Sequence, residues 1–165
     1  MTRRNLARPR RGQGGFSLIE VMVAVLVLAF GLLGFALLQT MSVRFVQSAN
    51  YRTQATNLSN DLIELMRAQR TSTLAGGDYT KATFAAGTVA VDGACAWPTG
   101  AKTTAAQNIT RWKCQVVKAL GDKASANVQF NATTGQVTVA ISWGDQRWDP
   151  QAPDSLTTFG LTTTL

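Results

Sequence analysis

The sequence predicts an α+β fold in which a long N-terminal helix packs on a small antiparallel sheet. Over the first seventy residues, apolar side chains are first continuous and then spaced by three and four, and no proline occurs between Pro9 and Pro98. After Gly77 the composition changes to Thr, Ala, Gly and β-branched residues, and helical periodicity gives way to alternation. A helical first part followed by a strand-rich second part is typical of this class.

Residues 1–15 form a polar leader that carries most of the net charge of +7. Five of the sixteen basic residues and none of the nine acidic ones lie in it, so the rest of the chain is nearly balanced. No aromatic or helical reading surface accompanies these arginines, and the leader does not indicate a nucleic-acid partner. Basic residues beside a membrane span favour the cytoplasmic side, which predicts a cytoplasmic N-terminus and an external remainder. The basic residues are Arg3, Arg4, Arg8, Arg10 and Arg11.

An apolar run follows the leader over residues 16–38. Ser17 and Glu20 are its only polar side chains, and 23 residues are enough to cross a hydrocarbon layer of about 30 Å. We predict a transmembrane segment over 16–38 within one helix over 16–71, with glycines 31 and 34 allowing local unwinding. Beyond the run, one stripe of this helix should face the head, the part of the chain formed by residues 72–165. The stripe consists of Met41, Phe45, Ala49, Ala55, Leu58, Leu62, Leu65 and Met66.

The head is predicted to be β-rich. Residues 136–143 alternate between apolar and polar, and the turn chemistry of residues 131–135 pairs them with 128–130 as a hairpin. We predict further strands in "WKCQVVKAL" (112–120) and "SLTTFGLTTTL" (155–165), and a short one in "TVAV" (88–91). The four tryptophans are expected mainly in the core, with an adhesive surface as the alternative.

The two cysteines, Cys95 and Cys114, fall in the part predicted to lie outside the cytoplasm, where disulfides form. We interpret them as a disulfide that closes a loop of about 20 residues and contributes roughly 3 kcal/mol. Two free thiols are the alternative. A metal site is not expected, since the chain has no histidine and the cysteines are not closely spaced.

Catalysis is not expected either. Without histidine there is no imidazole base, the aspartates of the head are scattered in polar contexts, and no phosphate-binding glycine loop is present. We therefore predict a protein that is not an enzyme and that requires no cofactor.

Glu20 distinguishes between three explanations of the N-terminal region. A carboxylate at the centre of a bilayer costs about 2.5 to 3.5 kcal/mol, and such residues usually have a partner. A signal peptide that is removed after the apolar run should have a shorter apolar core than this one. An uncleaved single-pass anchor of a periplasmic binding domain accounts for the length of the run but not for Glu20.

The third explanation is a resemblance. The stretch "GFSLIEVMVAVLVLAFGLLGFALLQ" resembles the class III signal of type IV pilins and pseudopilins, with a basic leader, Gly15, Phe16 and then Glu20 ahead of an apolar helix. The resemblance implies a pilin-like fold with a periplasmic head. It also implies that a prepilin peptidase cuts between Gly15 and Phe16 and that Phe16 is then N-methylated, while the apolar helix is retained.

The resemblance also gives Glu20 a partner. It implies that the glutamate pairs with the N-terminal amine of a neighbouring subunit as helices bundle in the filament. Cleavage creates this amine at Phe16, one helical turn from Glu20, and the amine is cationic at neutral pH. Because mispairing would bury a lone charge, the ion pair would fix the register between subunits.

Within the family, "GLLGFALLQ" lacks the proline of many major pilins and resembles the minor pilins called type IV pilus modification protein PilV, as do "CAW", "WKC" and "ISWGDQR". The expected function is that of a minor pilin that primes pilus assembly and enters the fibre or its tip. The implied partners are the prepilin peptidase, other minor and major pilins, and the inner-membrane assembly platform. A type II secretion pseudopilin and the uncleaved anchor remain the alternatives.

Overall fold

The computed structural model describes residues 15–74, 77–91, 95–100, 102–145 and 155–165. The predicted leader lies outside these ranges except for Gly15. The chain divides into two compact units, Met1–Arg44 and Phe45–Leu165. The elements are helix α1 (Leu18–Ala68), a short helix α2 (Arg70–Leu74), a 3₁₀ turn (Asp78–Ala82), helix α3 (Ala105–Leu120), and strands β1 (Ser125–Asn131), β2 (Gln136–Gly144) and β3 (Leu156–Thr164). The predicted α+β class, with a long N-terminal helix and a small antiparallel sheet, is confirmed.

The described part of the first unit consists of residues 15–17 and the apolar half of α1. Its helix is continuous through Gly31 and Gly34, so the unwinding that these glycines allow does not occur. A Cβ added at either glycine would meet no atom within 4 Å. The large apolar side chains between Phe16 and Val46 are all exposed, on every face of the helix. Helical hydrogen bonds satisfy the backbone groups of this segment. Its apolar side chains, by contrast, are not covered by other described residues of the unit.

In the second unit, Phe45–Leu165, one face of α1 packs into the same core as residues 72–165, so the folded head comprises this whole unit. The predicted stripe begins at Met41, but burial begins further along the helix. Met41 and Phe45 are 47% and 71% exposed. Apart from one adjacent pair, Leu62 and Ile63, successive buried positions are three or four residues apart, as in an amphipathic helix. These positions are Ala55, Ser59, Leu62, Ile63 and Met66.

The sheet has the order β1-β2-β3, and both pairs are antiparallel. The predicted hairpin and the predicted last strand are confirmed, with Val128 opposite Val139 and Ile141 opposite Phe159. The inward residues of β2 are buried, whereas the other face carries paired hydroxyls, such as Ser142 with Thr158 at 2.8 Å. The side chain of Asn131 accepts hydrogen bonds from two backbone amides of the turn, and Gly135 supplies its positive φ of 68°.

The predicted strand over residues 112–120 is wrong, because these residues form the second half of helix α3. Thr104 and Gln107 form a capping box at the helix start, and Trp112 donates from Nε1 to the carbonyl of Leu58 on α1 at 2.8 Å. The "TVAV" segment at 88–91 belongs to no helix or strand. In its described residues, the head therefore combines three strands with a 16-residue helix. The buried face of α3 includes Ile109, Trp112, Val116, Val117 and Leu120.

Candidate processing and assembly site

Helix α1 begins directly after the residues predicted to be processed. The structure places Gly15, Phe16 and Ser17 outside the helix, which starts at Leu18. The carbonyl of Ser17 accepts the backbone N–H groups of Glu20 at 3.0 Å and Val21 at 3.2 Å. Ser17 thus lies at the N-cap, a position that favours serine, and Glu20 lies in the first turn, where the helix dipole favours negative charge.

Gly15 is exposed, and a Cβ added there would meet nothing within 4 Å. The fold therefore does not require glycine at this position. A strict requirement for Gly15 would have to come from an enzyme that binds the segment. An exposed, non-helical peptide bond is also the kind of bond that proteases cut most readily.

Phe16 and Glu20 share one side of the polypeptide with Ala24 and Leu28, at intervals of four residues. With Val21 and Val25, these four residues line a shallow, mostly apolar groove in which Glu20 is the one charged member. Within the part of the chain that the structure describes, the Glu20 carboxylate has no hydrogen-bond or ion-pair partner. The site therefore presents an isolated acceptor, four residues from the end that cleavage would create.

Helix α1 is long and apolar enough to cross a membrane by length and composition, although a signal sequence near an N-terminus meets the same criteria. None of the residues in its most apolar window is buried within the chain. The surface is thus available either to lipid or to other apolar helices.

The head has a second group of functional residues, around the cysteines. Cys95 and Cys114 form a disulfide with a Cα–Cα distance of 5.1 Å, which is the bridge that the sequence predicted. Trp97 and Arg111 come together next to it, with the guanidinium carbon 3.7 Å from the indole centroid. Arg111 also lies 3.5 Å from a carboxylate oxygen of Asp61.

Sequence reasoning missed the contact between Trp97 and Arg111, although each residue lies within three positions of a bridged cysteine. The predicted disulfide was therefore the signal that could have found it. The tryptophans follow the core prediction in two cases, Trp112 and Trp143, which are fully buried. Trp97 is an exception at 71% exposed, and Trp148 lies outside the described residues.

Two groups in the head have shifted pKa values. Burial raises the pKa of Tyr79 above 10.0, and its hydroxyl donates to Oε1 of Gln69 at 2.7 Å and accepts from Asn108 at 3.5 Å. Burial lowers the pKa of Lys113 below 10.5. Among the described residues, no group of three or more potential ligands could hold a metal ion.

A family model described as the prokaryotic N-terminal methylation motif matches residues 10–36. No curated protein and no solved structure matches the chain. The matched residues include Gly15, Phe16, Glu20 and most of the apolar run. The motif implies processing by a prepilin peptidase and association with a membrane, and with the single apolar helix it fits a membrane-anchored pilin. The match and the fold together support a type IV pilin-like protein, a kind of structural protein rather than an enzyme.

Proposed function

We propose that this chain is a minor type IV pilin that is cut between Gly15 and Phe16, methylated at Phe16, and held in the inner membrane by residues 16–38 with its head in the periplasm. The observation that carries the proposal is the position of Glu20. This charged residue has no partner among the described residues, lies four residues from Phe16 on an otherwise apolar side, and falls inside the matched motif. A helix that only anchors the chain in the membrane does not require a carboxylate at this position.

The ion pair follows from the energetics of that position. A carboxylate without a partner in hydrocarbon costs several kcal/mol, at most about 3.5 on insertion scales. Cleavage before Phe16 would create an α-amine that is positively charged near pH 7, and methylation would leave it charged. Since the rest of this surface is apolar on every side, packing alone specifies the axial offset of two adjacent helices only weakly. A buried charge pair penalises every wrong offset, so the pair formed by Glu20 and a neighbouring subunit's amine sets the register.

Assignment to the minor pilins of the PilV group rests on the middle of the helix. The window that holds proline in many major pilins contains Gly31 and Gly34 here, and α1 remains helical through both. The short stretches "CAW", "WKC" and "ISWGDQR" support the same assignment. The partners of a minor pilin would be the prepilin peptidase, other minor and major pilins, and the assembly platform of the inner membrane.

Mass spectrometry of the membrane-extracted protein tests the processing step. We expect methylated Phe16 as the first residue in cells that contain a prepilin peptidase, and full-length precursor in cells that lack it. Gly15→Val should block cleavage, whereas Gly31→Ala should not, although both positions have open space around an added Cβ. An intact Met1 terminus in the presence of the peptidase, or a start beyond Leu38, would contradict the proposal.

Substitution of Glu20 tests the assembly step. Glu20→Gln removes the charge and keeps the shape, so it should be processed and inserted normally but enter sheared fibres at least about tenfold less, consistent with loss of a buried ion pair. Glu64→Gln is the matched control, because Glu64 lies on the exposed face of the same helix and pairs with Arg67 at 2.6 Å. Normal incorporation of Glu20→Gln would refute the pairing.

Deletion separates the pilus role from that of a type II secretion pseudopilin. We expect surface pili to decrease and secretion of extracellular proteins to continue. The opposite result, with normal pili and impaired secretion, would assign the same processed subunit to a secretion pseudopilus.

A further inference from the structure

The two edges of the sheet differ in whether other described residues cover them. The order β1-β2-β3 places β1 at one edge and β3 at the other. Phe84 closes the β1 edge by exchanging backbone hydrogen bonds with Ala126 at 2.9 and 3.0 Å. Beside it, the N–H of Val128 donates to the hydroxyl of Thr83 at 2.9 Å. No described segment pairs in this way with the outer side of β3, which is therefore the open edge.

The register shows which backbone groups of the open edge are unused. Leu165 donates its N–H to the carbonyl of Gly135 at 3.0 Å, one step beyond the last pair of the β2–β3 ladder. Because hydrogen-bonded and non-hydrogen-bonded pairs alternate in an antiparallel ladder, every second residue before Leu165 also bonds to β2. The residues between them direct both N–H and C=O away from the sheet. These residues are Leu156, Thr158, Gly160, Thr162 and Thr164.

Strand β3 lacks the features that normally prevent an edge from pairing with another chain. Such features are a short strand, a bulge, a proline or a charged side chain. Strand β3 has nine residues, pairs with β2 without a break in register, and contains neither proline nor a charged residue. A long, regular and uncharged edge of this kind is suited to the addition of an extended segment from another chain.

Side chains along the open edge indicate the chemistry of that segment. On the inner face, Phe159 and Leu161 pack against the core but remain only half-buried, so apolar side chains on an added strand would complete their burial. On the outer face, Thr158 and Thr162 already pair with hydroxyls of β2 at 2.8 and 3.1 Å. An added strand therefore needs apolar side chains on one face and tolerates polar ones on the other.

Charged side chains contact β3 only near its ends, among the residues that the structure describes. Asp145 accepts from Thr157, and Arg67 donates to Thr163, both at 3.4 Å. Arg67 already forms an ion pair with Glu64. A charged side chain in the middle of an added strand would thus gain no counter-ion from β3, and this favours an uncharged segment.

A second copy of this chain does not fit the open edge. Antiparallel pairing of two β3 strands requires a two-fold axis perpendicular to the sheet, which would run the α1 segments packed on the two sheets in opposite directions. Two chains anchored in one membrane by residues 16–38 cannot adopt that arrangement. Parallel pairing would turn one sheet over, so that Phe159 and Leu161 would lie beside threonines of the other copy.

We propose that β3 binds an extended, uncharged segment of a different protein, which adds a fourth strand to the sheet. Its backbone bonds to the outward groups of Thr158, Gly160 and Thr162, and its apolar side chains cover Phe159 and Leu161. The exclusion of a second copy rests on the proposed membrane anchoring, whereas the pairing surface itself does not. A failure of this pairing would leave cleavage at Gly15 and incorporation through Glu20 unaffected, since separate measurements test those steps.

Amide hydrogen exchange followed by NMR tests the site on the full-length protein in detergent. The probe is an acetylated peptide in which Thr and Val alternate over about nine residues, the length of β3, with two lysines at its end for solubility. In the free protein, the amides of Phe159 and Leu161 should exchange slowly and those of Thr158, Gly160 and Thr162 rapidly. Peptide at about 1 mM should slow the second group by about tenfold or more and leave the first group unchanged.

Two substitutions at Gly160 provide a matched pair. An added Cβ would meet no atom within 4 Å there, and the φ angle of Gly160 is not in the left-handed region. Gly160→Pro removes an outward N–H and places a ring on the edge, but it removes no hydrogen bond to β2, so it should weaken peptide binding by about tenfold or more. Gly160→Ala keeps the N–H and should bind within about twofold of the wild type.

Four results would overturn the proposal. The first is that the peptide slows none of the outward amides, and the second is that Gly160→Pro, with the melting temperature of the wild type, binds as well as the wild type. The third is that a peptide with Glu in place of Val binds equally well. The fourth is that the outward amides become protected without peptide as the protein concentration rises, which would indicate a second copy. If Gly160→Pro lowers the melting temperature, the same peptide with an N-methylated backbone replaces the variant, and equal binding of that peptide would refute strand addition.

Discussion

The apolar half of helix α1 and the head differ in how far they bury their own apolar side chains. Large apolar residues from Phe16 to Val46 are each at least 47% exposed, whereas the core of the head buries Leu62, Trp112 and Trp143 completely. Both regions contain regular, fully hydrogen-bonded helix, so backbone structure does not explain the difference. What differs is the pattern of apolar residues, which is uniform in the first region and periodic in the second.

The two regions therefore gain the free energy of apolar burial from different sources. The head gains its apolar burial, worth about 25 cal/mol for each Å², from its own residues when it folds. The first half of α1 can gain a comparable term only from lipid or from other helices. Side-chain changes in the head should therefore alter folding stability, and changes in the apolar half should alter insertion or assembly.

A matched pair of leucine substitutions gives the largest expected contrast. Leu62 is fully buried in the head and Leu33 is 67% exposed in the apolar half. Leu62→Ala should lower the free energy of unfolding of the head by about 2 to 5 kcal/mol, because it leaves a cavity that its neighbours fill only partly. Leu33→Ala should leave this free energy unchanged. Denaturant unfolding of the detergent-solubilised protein, followed by tryptophan fluorescence, measures both values.

The result would break the comparison if Leu33→Ala destabilised the head as much as Leu62→Ala. Such an outcome would mean that the apolar half packs against the head in solution. A reduced incorporation of Leu33→Ala into fibres, without a change in unfolding, would instead sharpen the comparison.

Much of this division could be predicted from the sequence. The length of the apolar run and the three-and-four spacing after it fixed one long helix, because these signals are local. The hairpin of β1 and β2 was equally accessible, since Asn131 and Gly135 supply the turn chemistry directly. Phe16 and Glu20 are predicted as site residues from spacing and family resemblance, and the structure adds that Glu20 lacks a partner among the described residues.

Helix α3 was missed because two local signals conflict. Val116 and Val117 favour a strand, and the window beginning at Trp112 was too short to show a helical period. The capping box of Thr104 and Gln107 lies upstream of this window, next to a stretch rich in Gly, Ala and Thr that shows no clear period. The contact between Trp97 and Arg111 joins two separate segments, so sequence periodicity could not reveal it. Only the disulfide linked these two segments in advance.

Removal of the disulfide tests whether the head is as independent as the comparison requires. The bridge joins residues 19 apart, and the double variant Cys95→Ser with Cys114→Ser should lose about 3 kcal/mol of unfolding free energy by the chain-entropy estimate. Membrane insertion should not change, because the proposed membrane span, residues 16–38, does not include either cysteine. Carbonate extraction measures insertion, and denaturant unfolding measures stability. A head that keeps its full stability without the bridge would show that packing alone orders residues 95–100.

Alkaline pH provides the smallest and most local contrast, because the two described side chains with shifted pKa values, Tyr79 and Lys113, both lie in the head. In the head, burial raises the pKa of Tyr79 above 10.0, so the unfolded chain releases this proton first as the pH rises. The stability that Tyr79 contributes is therefore complete below about pH 10 and declines as the pH approaches its folded pKa. Lys113 acts in the opposite sense, since burial lowers its pKa and the folded state releases its proton first.

Tyr79→Phe separates the two effects. At about pH 8 it should cost roughly 1 kcal/mol through the lost hydrogen bond to Gln69, which measures 2.7 Å in the structure. As the pH rises to about 11, the stability difference between wild type and variant should shrink, because the wild type alone loses the Tyr79 contribution. Unfolding free energies measured across this range should converge. Parallel curves would show that Tyr79 titrates as it does in the unfolded chain, and hence that water reaches this part of the core.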